Sequence, residues 1–501
     1  MPNQETVDIV IIGSGVGGGT AAAALAPTGV NILILERGAR LKDSEAARDA
    51  RAIFQRGHFR PSETWLDGAG QPFNPGNYYY VGGNSKLYGA VLIRYRAQDF
   101  SPISYREGST PGWPFGYEEL ERWYTRAEKL YRVRGALGAD RTEPSHSEPY
   151  PFPPVPDEPA IAKVRERMRS AGLHPFQLPL GVDIERWLAR AKTPWDAFPD
   201  TGSGKMDAEC CGVNEALRHP NVRLRENARV ERLVLDTDGK RVAGADAIVN
   251  EERVRIGAKL VILSAGAVNS AALLLGSSDR GIANRSDAVG RHFMNHNCSA
   301  VLAIDPRTVN DSVYQKTIGI NDFYLDDGKG GPPLGNIQLL GRVTGPILKS
   351  NVRKVPEWAL NAMSRRSVDW YAMSEDLPNL ESRVTVDGGH IRLDWKRSNW
   401  SAHQGLVKAF KERLRAAGYP IVLSQPFDRR TPSHQCGTVR IGADPVTSPL
   451  DPYCRAWDHP NLFVVDASFL PTSSGVNPAL TIAAQALRVA DHIAKTDLRT
   501  Y

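Results

Sequence analysis

Residues 7–38 read VDIVIIGSGVGGGTAAAALAPTGVNILILERG. Val7 to Ile12 is a short apolar run, the mark of a parallel strand buried on both faces. Gly13, Gly15 and Gly18 then form G-x-G-x-x-G, with Val16 inside it. Thr20 to Ala26 is alanine-rich and favours helix. A second apolar run, Asn31 to Leu35, ends on Glu36 and Arg37. The first glycine permits a tight strand-to-helix turn, the second lets a pyrophosphate approach the backbone, and the third lets helix and strand pack closely. The helix N-terminus offers free N–H groups and partial positive charge to phosphates. Glu36 stands where a carboxylate can accept hydrogen bonds from ribose hydroxyls. A lone glycine pattern is a weak sign. Strand, turn, helix, strand and terminal acid together predict a dinucleotide site, without distinguishing FAD from NAD.

The other 469 of 501 residues frame this unit. A chain of this length can build two or three domains' worth of core. Net charge is +6 without a dense Lys/Arg run, so nucleic acid is not an expected partner. No apolar run reaches the ~18 residues of a membrane-spanning helix. The start, MPNQETVDIV, lacks the character of a signal peptide. Five cysteines at no zinc spacing imply reduced thiols and no metal site. The expected location is cytoplasmic.

Along the chain, residues 40–76 read as a helix followed by a loop. NYYYVGGNSKLYGAVLIR, 77–94, turns at Gly82-Gly83 and lets backbone approach a ligand. Residues 113–135 form an amphipathic helix, and 143–158 are a Pro-rich excursion. Residues 221–249 read as strand, strand, Asp-Gly turn, strand. Leu260 to Ser264 is a buried strand leading through a Gly turn to an apolar helix. From 298 to 400 the runs SAVLAI, NDFYL, NIQLLG, VDWYAMS, SRVTVD and HIRLDW predict a largely antiparallel sheet. A basic helical stretch, 345–366, interrupts them and reads as a solvated surface helix or, alternatively, as a site cover or partner surface. His403 to Pro420 is an amphipathic helix stopped at Gly418. A last buried strand ends at Asp466, and a helix begins near Ala479, after Asn477-Pro478, and runs to the end.

The stretch PSHQCGTVRIG, 432–442, holds His434 two residues before Cys436. Alone it admits a metal pair, a Cys/His nucleophile or an ordinary loop histidine. No further ligands cluster with the pair at a recognisable spacing.

Taken together, eight segments resemble the glucose–methanol–choline (GMC) oxidoreductases, FAD enzymes with bacterial members. They are IVIIGSGVGGGTAAAALA…LERG, VGGNSKLYGAVLIR, WPFGYEELERWYTRAEKLY, ARVERLVLDTDGKRVAGA, LVILSAGAVNSAALLL, DLPNLESRVTVD, HQCGTVRIGADP and NLFVVDASFLPTSSGVNPALTIAAQALRVAD. The resemblance spans nearly the whole chain. It implies an α/β (α+β overall) fold. A Rossmann-like doubly wound FAD domain would be assembled from residues 1–140, 205–297 and 435–501. A substrate domain with a largely antiparallel sheet would take 141–204 and 298–434. By position, Gly13, Gly15, Val16, Gly18, Glu36 and Arg37 would meet the pyrophosphate and ribose. Gly82, Gly83, Asn84 and Ser85 would lie along the flavin, and Val230 would meet the adenine. Ala265, Asp466, Ala467 and Pro478 would complete the cofactor site, and Asn477 would belong to both sites.

His434 matches the family's H-x-x-G-T histidine and Asn477 its N-P amide. The implied chemistry is oxidation of an alcohol, hydride passing to flavin N5 and the hydroxyl proton to neutral His434. Asn477 would stabilise the developing alkoxide, and Cys436 would be a packing residue. Leu87 occupies the place where some sugar oxidases of the family attach FAD through histidine, so FAD is expected to be non-covalent. The resemblance favours a sugar, glycoside or polyol substrate, with oxygen, a quinone or another electron acceptor. Trp65, Tyr79, Tyr88 and Trp370 are candidate lining residues. A flavin-bearing lyase of the hydroxynitrile type is the alternative on the same fold. TPWDAFPDTGSGKMDAE, 193–209, lacks the cysteine cluster of close bacterial relatives, and oligomeric state stays open.

Overall fold

The computed structural model describes residues 3–498 apart from 203, 353, 429, 432 and 433. Strand β1, Asn3–Ile12, enters helix α1, Val16–Leu25, and returns as β2, Ile32–Leu35. Every β2 residue is buried on both sides of the sheet, as the unbroken apolar run required. Later strands β3, Val222–Arg225, β4, Ala228–Leu235, β5, Val242–Val249, and β6, Glu252–Leu263, join them. The order is β3-β2-β1-β6-β5-β4, with Leu462–Val464 paired to β6. From β3 to Leu462–Val464 the pairings are parallel; β5 pairs antiparallel to β6 and β4. The buried strand expected at Leu260–Ser264 is the end of the longer β6. Its C-terminus leads into helix α2, Ala267–Gly276. The parallel strand ends and the helices after them define the crevice where open α/β sheets bind ligands.

The second sheet contains β7, Asn297–Ile304, β8, Ile318–Ile320, β9, Asn336–Leu339, β10, Ser367–Ser374, and β11, Ile421–Pro426. Its antiparallel order is β11-β7-β10-β9-β8, closed by Phe176–Gln177. Alternation divides the side chains. Val301, Ala303, Ile337, Leu339, Trp370 and Ala372 pack with helix Pro159–Ser170 and helix α3, Trp400–Ala416. The intervening Cys298, Asn336, Gln338, Tyr371 and Met373 face the other way, Gln338 opposite Tyr371 and Asn336 opposite Met373.

Several expectations need correction. Residues 40–76 form no α-helix. They make a 3-10 turn, Glu45–Arg48, a π turn, Arg51–Gln55, and a hairpin, Trp65–Asp67 with Pro72–Phe73. The SRVTVD and HIRLDW strands leave the antiparallel sheet and join that hairpin in a separate four-stranded sheet, Arg392 beside Leu66. NDFYL is a turn after β8, with Tyr324 N donating to Asn321 O at 3.0 Å. β11 was not anticipated: it is an edge strand whose side chains are mostly exposed, so burial did not impose a pattern. The 345–366 stretch is two short helices, Gly345–Asn351 and Glu357–Ser364, the second capped by Pro356; Arg353 lies outside the described residues.

Trp65 and Trp370 line no site. Trp65 packs edge-on against Phe73, and period-2 alternation turns Trp370 toward Phe410. Tyr88 donates to Met206 O at 2.6 Å, and Tyr79 is held under Arg37 with Glu63 on its hydroxyl. The terminal helix α4, Ala479–Thr496, ends before residues 499–501, which lie outside the described part. No described helix is long and apolar enough to cross a membrane.

Candidate active site

The nucleotide end is built from backbone. Gly13 has φ +98°, and a Cβ there would stand 2.2 Å from Ser264 O; one on Gly18 would stand 2.0 Å from Gly13 O. Gly17, at a variable position of the motif, is equally constrained: its Cβ would stand 2.1 Å from Val465 O. The turn is therefore seated on the ends of β6 and the last strand. Gly15 differs. A Cβ on it would meet nothing within 4 Å, and Gly83 faces it, its own Cβ position 3.3 Å from Gly15 Cα. Helices α1, α2 and α4 all begin without a side-chain cap, at Gly15, Gly266 and Pro478. Gly266 also faces open space. An open glycine cradle at uncapped helix starts fits a pyrophosphate, whose oxygens need donors and close backbone approach.

The surrounding candidates brace this cradle. Glu36 Oε2 accepts from Ser14 N at 3.1 Å and Ser14 Oγ at 2.6 Å, and Oε1 from Gly38 N at 3.0 Å. Burial pushes its carboxyl up from the ordinary range. Arg37 lies 3.8 Å over the Tyr79 ring. Gly82 N donates to Ser14 Oγ at 3.0 Å, so the Gly-Gly turn is tied to the first turn. Asn84 Oδ1 accepts from Tyr78 N, and Ser85 Oγ joins Gly82 O to Ala208 N. Val230 sits in β4, whose first residue, Ala228, donates to Glu36 O at 2.8 Å. Ala265 N donates to Ser270 Oγ at 3.0 Å. The Asp466 carboxylate accepts from Gly266 N at 2.9 Å, Ser270 Oγ, Ser468 N and Ser468 Oγ. Its oxygens are taken up by these protein donors, which tie the start of α2 to the turn after the last strand. Ala467 O accepts from Gly437 N at 3.2 Å, linking this turn to the His434 loop. Leu87 is buried.

At the other end, two distant loops meet. His434, φ +67°, and Asn477 approach to 3.4 Å between Nε2 and Nδ2. Pro432 and Ser433 lie outside the described residues. Cys436 is buried and pairs its backbone with Met294, as a packing residue would. Burial, with His296 and Lys316 nearby, pushes His434 well below the usual imidazole range and keeps it neutral.

Sequence reasoning missed the groups behind this pair. His296 Nδ1 lies 2.8 Å from His434 Nδ1, and its Nε2 meets Ser473 O at 2.9 Å and Ser474 O at 2.8 Å. Gln338 Nε2 donates to Asn477 Oδ1 at 2.9 Å. Lys316, buried, pairs with Asp196 at 2.8 Å. This gives the cysteine-poor 193–209 stretch a structural part. Gln338 carried one signal: NIQL alternates polar and apolar residues in a strand buried on both faces.

The structure thus combines a doubly wound sheet ending in a glycine cradle, an antiparallel sheet, and a histidine–amide pair brought together by two distant loops. Models of the GMC oxidoreductase family match residues 199–298 and 388–486. The chain is 29% identical to 6'''-hydroxyparomomycin C oxidase of Streptomyces lividus, over 97% of this chain and 92% of that one. It is 28% identical to paromamine 6'-oxidase of Streptomyces fradiae, over 97% and 91%. With 2-methyl-1,2-propanediol dehydrogenase of Mycolicibacterium austroafricanum it shares 27%, over 98% and 96%. In fold it resembles the crystal structure of pyridoxine 4-oxidase from Mesorbium loti, TM-score 0.69 at 20% identity, over 97% of this chain and 99% of that one. The chain belongs to the GMC oxidoreductase family. It is an FAD-dependent enzyme that oxidises alcohol groups.

Proposed function

We propose that the enzyme oxidises a CH–OH group of a sugar, glycoside or polyol, with His434 as proton acceptor and Asn477 as the donor that holds the reacting oxygen. The observation that carries this reading is the meeting of His434 Nε2 and Asn477 Nδ2 at 3.4 Å from loops 43 residues apart. Bound FAD supplies the two-electron oxidant. The turn at Gly13–Gly18, the Gly82–Ser85 segment and the starts of α2 and α4 would hold it.

The protein's own contribution is placement and proton transfer. A neutral imidazole offers one lone pair, and a substrate hydroxyl set between it and the amide would lose its proton to Nε2. The Asn477 N–H groups would stabilise the charge developing on that oxygen. Desolvation, with His296 and Lys316 nearby, keeps the base unprotonated, while the half-buried ring stays open to an approaching hydroxyl.

Two observations support a polyhydroxylated substrate. The sheet face beside Asn477 carries the amides Asn336 and Gln338, and Gln338 Oε1 is buried without a hydrogen-bond partner among the described residues. A second substrate hydroxyl would satisfy it. The aminoglycoside oxidases and the diol dehydrogenase among the relatives are named for polyhydroxylated substrates.

The test is His434→Ala, followed by anaerobic mixing with a panel of sugars and diols. FAD content should equal that of the parent, and flavin bleaching should slow by about 10²–10⁴-fold. Near-parental bleaching in this variant would sink the assignment.

A further inference from the structure

We infer that His296 and Gln338 are positioning residues of one polarised hydrogen-bond chain, which fixes both the tautomer of His434 and the orientation of the Asn477 amide before substrate arrives. The inference rests on the assignment of His434 and Asn477 to the reaction.

The chain can be followed from either end. Asp140 is a carboxylate and accepts only. Asn321 must therefore present Nδ2 to it, at 2.7 Å, which turns Asn321 Oδ1 toward Asn336. Asn336 donates Nδ2 there at 2.7 Å and so offers Oδ1 to Gln338. Gln338 must answer with Nε2, at 3.0 Å. The second hydrogen of that same nitrogen goes to Asn477, 2.9 Å away, which must offer Oδ1. Asn477 Nδ2 is thereby left facing His434 Nε2.

The other end is two peptide carbonyls, Ser473 O and Ser474 O, which also accept only. Both lie on His296 Nε2, so that nitrogen carries the hydrogen. Burial holds His296 at about 4, well below the usual imidazole range, so the ring is neutral and its Nδ1 is a bare acceptor. His434 Nδ1, 2.8 Å away, must carry the hydrogen between them. His434 Nε2 is then the lone-pair nitrogen and accepts from Asn477 Nδ2.

The two deductions meet at Asn477 and agree. Each uses different residues: Asp140, Asn321, Asn336 and Gln338 on one side, His296 and the 473–474 carbonyls on the other. A single reversed amide or tautomer anywhere would place two donors or two acceptors face to face in a buried site. The chain therefore presents to substrate one lone pair and one amide N–H, the combination an alcohol needs for loss of its proton. The wrong His434 tautomer would present two N–H groups and no base.

The experiment is nitrogen NMR of the holoenzyme with labelled histidine, the His434 signals being identified by their loss in His434→Gln. Wild-type His434 should show a lone-pair Nε2 and a hydrogen-bearing Nδ1. Gln338→Glu removes the double donor, because a carboxyl group has at most one hydrogen where two are used. That variant should move His434 toward the Nε2–H tautomer, keep its FAD, and slow anaerobic flavin bleaching by about 10-fold or more, with the change in kcat exceeding that in KM. His296→Leu should mix the two tautomers, and His296→Asn, which restores an acceptor near Nδ1, should recover the wild-type signal. A wild-type His434 carrying its hydrogen on Nε2 would overturn the inference, as would an unchanged tautomer in both Gln338→Glu and His296→Leu. Near-parental bleaching in His434→Ala, with the tautomer shifts as described, would remove the base assignment and leave the chain standing.

Discussion

The two ends of the site are made of different material. At the nucleotide end, recognition is by main chain: open glycines, uncapped helix starts, and side chains that brace the turn. At the proposed alcohol end it would be by the side chains of His434 and Asn477, oriented in turn by His296 and Gln338. The difference follows from the ligands. A pyrophosphate carries fixed charge and many acceptors, and any set of N–H groups at the right distance serves it. A hydroxyl about to lose a proton needs one acceptor and one donor at defined positions, so the polarity of every group behind them matters.

Substitutions at the nucleotide end should therefore act through space, and they separate cleanly. Gly13→Ala has the largest expected effect. A Cβ 2.2 Å from Ser264 O on a φ of +98° cannot be absorbed by backbone on both sides. Expression should yield no soluble, yellow protein; a folded holoenzyme would break the contrast. Gly15→Ala should act on the cofactor and leave the fold intact. Its φ of −67° suits alanine, and the new methyl meets no protein atom. The apoprotein should melt within a degree or two of the parent, while FAD affinity falls about tenfold because the methyl occupies the cradle, a change of ~1.4 kcal/mol. Unchanged affinity would show that the phosphates do not approach Gly15.

At the alcohol end the expected signature is in pH. An ordinary imidazole would protonate as pH falls through 6.5 and lose its function as a base. Burial lowers His434 well below that value, so the neutral, active form persists as pH falls past 6.5. The rate of anaerobic flavin bleaching should stay flat from pH 8 to below 6.5, with its acid limb at lower pH. A limb centred at 6.5 would mean that the site is wetter than its packing implies. The smallest effect is expected at Leu87. With leucine at that place, acid precipitation should release the yellow colour into the supernatant; colour retained in the pellet would show a covalent bond.

How much of this could be read in the residues varied with distance along the chain. The β1–α1–β2 unit was legible because its signals, an apolar run, spaced glycines and a terminal acid, all lie within 32 residues. Helix positions were legible for the same reason, since i, i+3 and i+4 neighbours report one face. The SRVTVD strand was seen, but its sheet was not: its strands pair with a short hairpin from 65–73, about 320 residues earlier, and nothing local encodes that choice. Nothing local marks Gly17 either, yet Val465 O, just past the last strand, leaves no room for a Cβ there.

The sequence by itself determined the dinucleotide site and the positions of most helices and strands, which depend on short-range periodicity and on motifs with a local physical cause; the two residues proposed to meet the alcohol came from the resemblance to the GMC family. Only the tertiary structure decided what His434 and Asn477 can do. His296 and His434 are 138 residues apart, and Gln338 and Asn477 139 apart, yet their contacts determine which nitrogen is bare and which carries hydrogen. Hydrogen-bond polarity passes from one buried group to the next through space, and its direction is set at the ends of the chain by groups that can only accept.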